Sequence, residues 1–373
     1  MSMYPCEDLR PEREALDAVK GVLILAVVLG HSLIANSLVP TLKGAVYSFH
    51  VQCFLLLPFL LPASALTPAG AANLLVRYLV PYLCAVVFFS VLRVVVVQDV
   101  GLWTWLSHLL AALATGNAGR LKEATGFYLF WFLPALTVLV LLRAVYFRQG
   151  HLARFALGVL AVAAHVILPA LPWPWKRDWP MFGTHIALFM FPLGLCIHLV
   201  ARPLLTWLSG GARLLLPLCF AGSLGLLLER GMQVNLVNLG YSSYRHPPIL
   251  IHQDLVAVLA LLSLLAFSRE LARVPSLSAI GNKSLPIYLL HQSFIVGTVR
   301  ILGPETAEGI APVYTGLVGG LSVLCGVIGP LLVARLIYTR VRLRSVLFPR
   351  SARDLLYGFG VLAQPPATGA IRA

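Results

Sequence analysis

The sequence predicts an all-α fold, a polytopic membrane bundle of about ten transmembrane helices. Hydrophobic residues make up 59% of the 373 residues and charged residues only 11%, whereas soluble domains average about 45–50% and about 25%. Apolar runs of about 20 residues, which is enough to cross a bilayer, recur along the whole chain. They leave no room for a sizeable soluble domain, so we expect one membrane domain over residues 1–373.

Ten segments have the length and composition of a spanning helix. They form a predicted bundle at 16–338, between an N-terminal cytoplasmic segment at 1–15 and a basic cytoplasmic tail at 339–373. The run at 102–114 contains two Trp and one His, is too short to span, and is predicted to be an interfacial or re-entrant helix. The predicted spans are 18–39, 44–66, 74–97, 127–147, 152–171, 182–200, 213–230, 249–268, 281–301 and 312–336.

The basic residues predict the orientation of the chain. An even number of spans places both termini on one side, and about two thirds of the 28 Lys and Arg residues fall on that side. By the positive-inside rule, both termini are cytoplasmic. The formal net charge of +14 reflects these scattered loop residues, which form no recognition motif, so no nucleic-acid partner is expected. The N-terminal segment also lacks the pattern of a cleavable signal peptide.

Three ionisable residues lie in the first apolar segment, namely Asp17, Lys20 and His31. At about 3.6 residues per turn, His31 follows Lys20 by three turns and Asp17 precedes Lys20 by one, so all three share a face. Ionisable groups in a spanning helix are costly and rarely face lipid. The first helix is therefore predicted to carry a functional site, with Asp17 as the partner of Lys20.

Two further histidines lie at a depth similar to that of His31. The topology places His31 about 20 Å along the first span, His50 about 9 Å below the outer surface, and His291 about 15 Å into the ninth span. Ser284 and Tyr288 share a face with His291. A single intramembrane His can simply bond to a neighbouring helix, but three at matching depth favour a site near mid-membrane.

The cysteines and histidines are not spaced as in disulfide-rich domains or common metal sites. The six cysteines occur singly, and five of them lie inside apolar runs, where Cys packs as a small hydrophobic residue. We therefore expect neither a disulfide framework nor a metal site. A zinc site made by three histidines stays open on ligand type alone, although no ligand spacing in the sequence supports it.

Two other regions have candidate binding residues. Arg77 opens the third span in RYLVPY and is either an anchor at the membrane surface or a clamp for an anionic phosphate entering from the cytosol. The predicted outer loop at 230–248 is rich in Asn, Ser, Tyr, Arg and His. This composition suits a polyhydroxylated ligand, but a solvated connector has the same composition.

Six segments of the chain carry a family resemblance. They are LDAVKGVLILAVVLGH (16–31), YSFHVQCF (47–54), RYLVPY (77–82), WFLPAL (131–136), MFPLG (190–194) and IGNKSLPIYLLH (280–291). In this order and spacing they resemble the acyltransferase-3 family of integral-membrane O-acyltransferases, particularly the branch similar to fucose 4-O-acetylases and exopolysaccharide acetyltransferases. Lys20 stands where that family usually has Arg, Leu74 where it usually has a second basic residue, and Pro58-Phe59 where it has Ser-Gly.

The resemblance implies transfer of an acyl group, most often acetyl from acetyl-CoA, to a sugar hydroxyl outside the cytoplasm. His31 would act as general base or transient acyl carrier, and Lys20 or Arg77 would hold the donor phosphates or polarise the thioester. The residues expected to support them or the acceptor are His50, Ser284, Tyr288 and His291. The expected partners are membrane lipid and a carbohydrate acceptor, either a polysaccharide or a lipid-linked oligosaccharide, at a bacterial inner membrane.

Other function classes stay open. Intramembrane His and Lys also suit a proton-coupled transporter or flippase of lipid-linked sugars, although the sequence has no obvious internal repeat. A sensor or assembly subunit could use the same scaffold without catalysis. Within the enzyme class, succinyl or another acyl donor is an alternative to acetyl.

Overall fold

The regular structure is helical wherever the chain is described. The computed structural model describes residues 13–32, 34–60, 67–97, 101–170, 182–208, 210–230, 247–303 and 312–362. The α-helices in these ranges are α1 (Arg13–Gly30), α2 (Pro40–Tyr47), α3 (His50–Leu56), α4 (Pro68–Val97), α5 (Leu102–Thr115), α6 (Ala118–Thr125), α7 (Phe132–Arg148), α8 (His151–Ala170), α9 (Thr184–Trp207), α10 (Leu215–Glu229), α11 (Pro247–Ala266), α12 (Ser268–Ala272), α13 (Pro275–Asn282), α14 (Ser284–Leu302), α15 (Pro312–Thr339), α16 (Val341–Leu347) and α17 (Ala352–Gly358). The predicted all-α class is confirmed.

Most of the predicted spans correspond to helices of spanning length. Among the described residues, nine helical segments are long and apolar enough to cross a membrane, and they coincide with nine predicted spans whose ends differ by several residues. The remaining predicted span is α1, which has 18 residues and carries Arg13, Glu14, Asp17 and Lys20 in its first half. The protein is therefore a polytopic helical membrane protein. The nine segments are Pro40–Leu60, Pro68–Val96, Leu129–Arg148, His151–Ala170, Thr184–Trp207, Gly210–Glu229, Ile249–Ala266, Ser284–Leu302 and Val313–Thr339.

The first helix is shorter than the sequence predicts. The apolar run predicts a span over 18–39, but α1 ends at Gly30 and a π-helical turn covers Ile34–Leu38. The backbone N–H of His31 donates to the carbonyls of Val27 at 3.3 Å and Val28 at 3.2 Å. His31 is therefore attached to the last turn of α1, one residue beyond the helix.

The second span is interrupted between Tyr47 and His50. α2 ends at Tyr47, a two-residue turn follows, and α3 begins at His50. In the turn, the Ser48 hydroxyl donates to the carbonyl of Gly44 at 2.7 Å, and the Ser48 carbonyl accepts from Nε2 of Gln253 at 2.6 Å. Because polar backbone groups must be satisfied inside a membrane, these hydrogen bonds allow the break to exist there.

Two glycines bring α1 and α13 into backbone contact. A Cβ atom at Gly21 would lie 2.2 Å from the carbonyl oxygen of Leu277, and one at Gly281 would lie 1.7 Å from the carbonyl oxygen of Asp17. Small residues permit this close approach between membrane helices. The crossing fixes the part of α1 that carries Asp17.

An apolar cluster packs α1 against α14 and α15. Its members lie on the faces that these three helices turn toward one another, and most of them are almost fully buried. A Cβ at Gly326 of α15 would meet side chains of Ile295 at 2.9 Å and Val28 at 3.0 Å, so a glycine keeps α15 close to both helices. The cluster residues are Ile24, Val27, Val28, Ile287, Ile295 and Val327.

The chain divides into two compact units. The first comprises Met1–Pro62, Val162–Leu171 and Met190–Leu332, and the second comprises Ala63–Ala161, Pro172–Phe189 and Val333–Ala373. Asp17, Lys20 and the three candidate histidines belong to the first unit, and Arg77 belongs to the second. Within the region predicted as a basic tail, α16 and α17 are folded helices. A single membrane domain stays a prediction.

Candidate active site

Asp17 and Lys20 form an ion pair one helical turn apart. Lys20 Nζ lies 2.8 Å from Asp17 Oδ1, and the two side chains are 32% and 11% exposed. The backbone carbonyl of Asp17 is the group against which Gly281 packs. The carboxylate therefore sits on a constrained backbone and holds the ammonium group, which stays partly accessible.

His31 lies among other aromatic side chains of the first unit. Its ring centroid is 5.2 Å from that of His291 and 5.8 Å from that of Tyr47. The hydroxyl of Tyr47 is 3.3 Å from Nδ1 and 3.4 Å from Nε2 of His31, and the Tyr47 ring is 5.1 Å from His50. The structure therefore places the three candidate histidines in one group, with Tyr47 between His31 and His50.

His50 and His291 are buried and oriented by backbone carbonyls. They are 1% and 0% exposed. Nδ1 of His50 lies 2.5 Å from the carbonyl of Val46, and Nδ1 of His291 lies 2.8 Å from that of Tyr288 and 3.1 Å from that of Ile287. A carbonyl only accepts, so in the neutral rings Nδ1 carries the hydrogen and Nε2 keeps a lone pair.

His31 differs from these two rings in its accessibility. It is half-buried, whereas Nε2 of His291 is buried and has no hydrogen-bond partner within the described part of the chain. An acceptor left alone in an apolar interior is costly. The arrangement therefore combines a partly exposed histidine, His31, with a neighbouring ring that keeps an open lone pair.

Tyr47 is the residue of this group that the sequence prediction missed. It lies three residues before His50, which is about one helical turn. This spacing could have indicated that Tyr47 lies near the candidate histidines. Gly30, directly before His31, leaves room for the contact, because a Cβ there would lie 3.1 Å from Cε2 of Tyr47 and from Cγ1 of Val46, which is tighter than most Cβ contacts. The glycine thus lets the Tyr47 ring reach the end of α1.

The other predicted site residues that the structure describes lie on α14 and α4. Tyr288 is near the group, with its ring centroid 6.3 Å from that of His291. Ser284 is the first residue of α14, about 10 Å along the helix axis from His291 at about 1.5 Å per residue. Arg77 is an exposed residue of α4 in the second unit. The loop region at 231–246 lies outside the described residues.

Metal ligation was the other chemistry left open for the histidines. Among the described residues, no group of three or more His, Cys, Asp or Glu side chains is arranged to hold a metal ion. In the histidine group, Nδ1 of both His50 and His291 is engaged with carbonyl oxygens.

Comparison with known protein families identifies a domain that covers most of the chain. A protein-family model described as an acyltransferase domain matches residues 13–337, which include the ion pair, the histidine group and Arg77. Neither the curated proteins nor the solved structures gave a match.

Proposed function

The chain belongs to the acyltransferase-3 family, and we propose that it transfers an acetyl group from acetyl-CoA to a sugar hydroxyl. It is a multi-pass membrane acyltransferase. The proposed acceptor is an exported polysaccharide or its lipid-linked precursor, and the proposed location is a bacterial inner membrane. The observation that carries the proposal is the half-buried His31 beside the Tyr47 hydroxyl and the buried ring of His291.

His31 is the proposed general base. A sugar hydroxyl is a weak nucleophile, and a neutral imidazole nitrogen can remove its proton as the oxygen attacks the thioester carbonyl. Collapse of the tetrahedral intermediate breaks the carbon–sulfur bond, and the thiolate of CoA takes the proton from the His31 imidazolium. The products are the acetyl ester and free CoA. Transfer through an acyl group on His31 would use the same nitrogen as nucleophile.

The cations are proposed to bind the donor. Lys20, held by Asp17 at 2.8 Å, provides a point charge that can neutralise a phosphate or polarise the thioester carbonyl. Arg77 provides a planar guanidinium, which binds phosphate through paired hydrogen bonds. Asp17 keeps Lys20 in one position and prevents an unpaired carboxylate in the bundle.

The remaining polar residues are proposed to position His31 and the acceptor. His50 and His291 present Nε2 lone pairs because Nδ1 of each is engaged with a carbonyl, and Tyr288 packs beside His291. Ser284 is the first residue of α14, at the predicted cytoplasmic end of this span, and is proposed to support the site from the donor side. These are positioning roles, because each acts through His31 or the substrate.

The test uses the purified chain in liposomes, with radiolabelled acetyl-CoA and a soluble oligosaccharide acceptor. His31→Ala should lower the transfer rate at least about 100-fold, the usual contribution of a general base. The control is His151→Ala, because His151 is an exposed residue at the start of α8. Transfer retained in His31→Ala would refute the role of His31. No transfer by the unmodified chain, with export of lipid-linked sugar instead, would favour a flippase. Transfer from succinyl-CoA but not from acetyl-CoA would identify a succinyl donor in place of the proposed acetyl donor.

A further inference from the structure

Two short helices follow the segment that matches the family model. This C-terminal cap, α16 and α17, is organised by Asp354, which is 2% exposed. Asp354 Oδ1 accepts from the Ser345 hydroxyl at 2.6 Å, and Oδ2 accepts from the backbone N–H of Arg350 at 3.0 Å. A Cβ at Gly358 would lie 2.8 Å from the side chain of Val346. The cap is therefore a tightly packed element of fixed geometry.

The cap is docked on the start of α4. The backbone N–H of Ala352 donates to Oδ1 of Asn73 at 3.0 Å. The ring of Phe348 stacks on that of Tyr338 near the end of α15, with centroids 6.0 Å apart and planes inclined by 13°. Asn73 lies one helical turn before Arg77 on the same face of α4. The cap therefore meets α4 next to Arg77.

Three arginines lie near the contact between the cap and α4. Arg344 and Arg350 belong to the cap segment and both contact Asp354, and Arg77 lies one turn from the Asn73 side chain that the cap contacts. Arg77, Arg344 and Arg350 all act electrostatically on the hydroxyl of Tyr338. Arg344 Nη2 lies 3.5 Å from Asp354 Oδ1, while its Nε is buried without a hydrogen-bond partner among the described residues. Arg77 and Arg350 are exposed.

The three arginines carry three positive charges, whereas the Asp354 carboxylate carries one negative charge. Asp354 is the carboxylate that contacts Arg344 in the described part of the chain, and this carboxylate also accepts hydrogen bonds from the cap. Three neighbouring cations repel one another, and this repulsion favours binding of an anion. Guanidinium groups pair with phosphate oxygens through two parallel hydrogen bonds.

We propose that Arg77, Arg344 and Arg350 form a binding site for a phosphate group, with two of the three cations supplied by the C-terminal cap. The phosphate belongs to the CoA moiety of the acyl donor, and this part of the proposal rests on the proposed function. An anionic phospholipid headgroup has the same chemistry and is the alternative source. The cap lies beyond residue 337, where the match to the family model ends.

The experiment measures binding of CoA, and of CoA lacking its 3′-phosphate, to the full chain in phosphatidylcholine nanodiscs. The unmodified chain should bind CoA more tightly than the dephosphorylated form. Arg350→Gln should weaken CoA binding about tenfold, the effect of losing about 1.4 kcal/mol, and should remove the preference for the 3′-phosphate. The hydrogen bond that Arg350 makes to Asp354 uses its backbone N–H and not its side chain, so folding should be retained. The matched control is Arg353→Gln, an exposed residue of α17.

A second arm distinguishes the two phosphate sources. Nanodiscs that contain phosphatidylglycerol are analysed for co-purified lipid by mass spectrometry. Loss of bound phosphatidylglycerol in Arg350→Gln, with unchanged CoA affinity, would overturn CoA as the source and assign the site to lipid. No change in either measurement in both Arg350→Gln and Arg77→Gln would overturn the site. Binding of CoA as expected by a chain that transfers no acetyl group would leave the site standing and refute the proposed function.

Discussion

Replacement of Gly281 by Ala tests whether the α1–α13 crossing holds the ion pair in place. The added methyl group would lie 1.7 Å from the carbonyl oxygen of Asp17 and 2.7 Å from the backbone nitrogen of Gly21, both backbone atoms, whereas real contacts of this kind are at least 3.0 Å. The two helices must therefore separate by more than about 1 Å at this point. Asp17 and Lys20 would move with α1.

The size of the effect follows from that displacement. Overpacking of this kind costs about 1–3 kcal/mol of folding free energy. A shift of about 1 Å in groups that position a substrate can lower a rate about 100-fold. We therefore expect Gly281→Ala to lower kcat/KM for acetyl transfer by about two orders of magnitude and to lower Tm.

The assay compares labelled acetyl transfer in liposomes with thermal unfolding in detergent. Gly297→Ala is the matched control, because a Cβ at Gly297 of α14 meets no atom within 4 Å. Alanine is favoured over glycine inside a helix by about 0.5–1 kcal/mol, so this control should be active and at least as stable as the unmodified chain. Full activity and an unchanged Tm in Gly281→Ala would show that the crossing does not position Asp17.

Two further predictions concern the histidine group and the ion pair. Tyr47→Phe keeps the ring but removes the hydroxyl 3.3 Å from His31, so kcat should fall about 2- to 10-fold, the range for one hydrogen bond, and the pH–rate profile should shift. A fall in stability with an unchanged profile would indicate a packing role only. Lys20→Arg should retain more transfer than Lys20→Ala, and equal loss in both would exclude a purely electrostatic role for Lys20.

The sequence was informative where apolar composition decides the structure. Runs of spanning length located nine helical segments among the described residues, because each segment must be long and apolar to cross a bilayer. Helical spacing likewise placed Asp17 one turn from Lys20, and the structure contains that ion pair. The depth estimate for three histidines was also sufficient to suggest a common location, and their rings are grouped.

Features that depend on contacts distant in sequence were not predictable. At the break between α2 and α3, the carbonyl of Ser48 accepts a hydrogen bond from Gln253 on α11, and Gly30 leaves room for the contact of Tyr47 with His31. The end of α1 before His31 has no proline to mark it. The cap formed by α16 and α17 resembled a basic tail because its order comes from a single buried acid, Asp354, rather than from an apolar run.

The position of the cap also bears on where this enzyme can be cut or fused. A chain that ended after α15 would retain everything that the family model matches. It would nevertheless lose Arg344, Arg350 and the backbone N–H of Ala352 that donates to Asn73. On the proposed phosphate site, we expect a fully functional chain to extend at least through Gly358. An affinity tag or reporter domain that replaces the chain after α15 would therefore remove the cap. A tag attached beyond α17 would leave the cations of the cap in place.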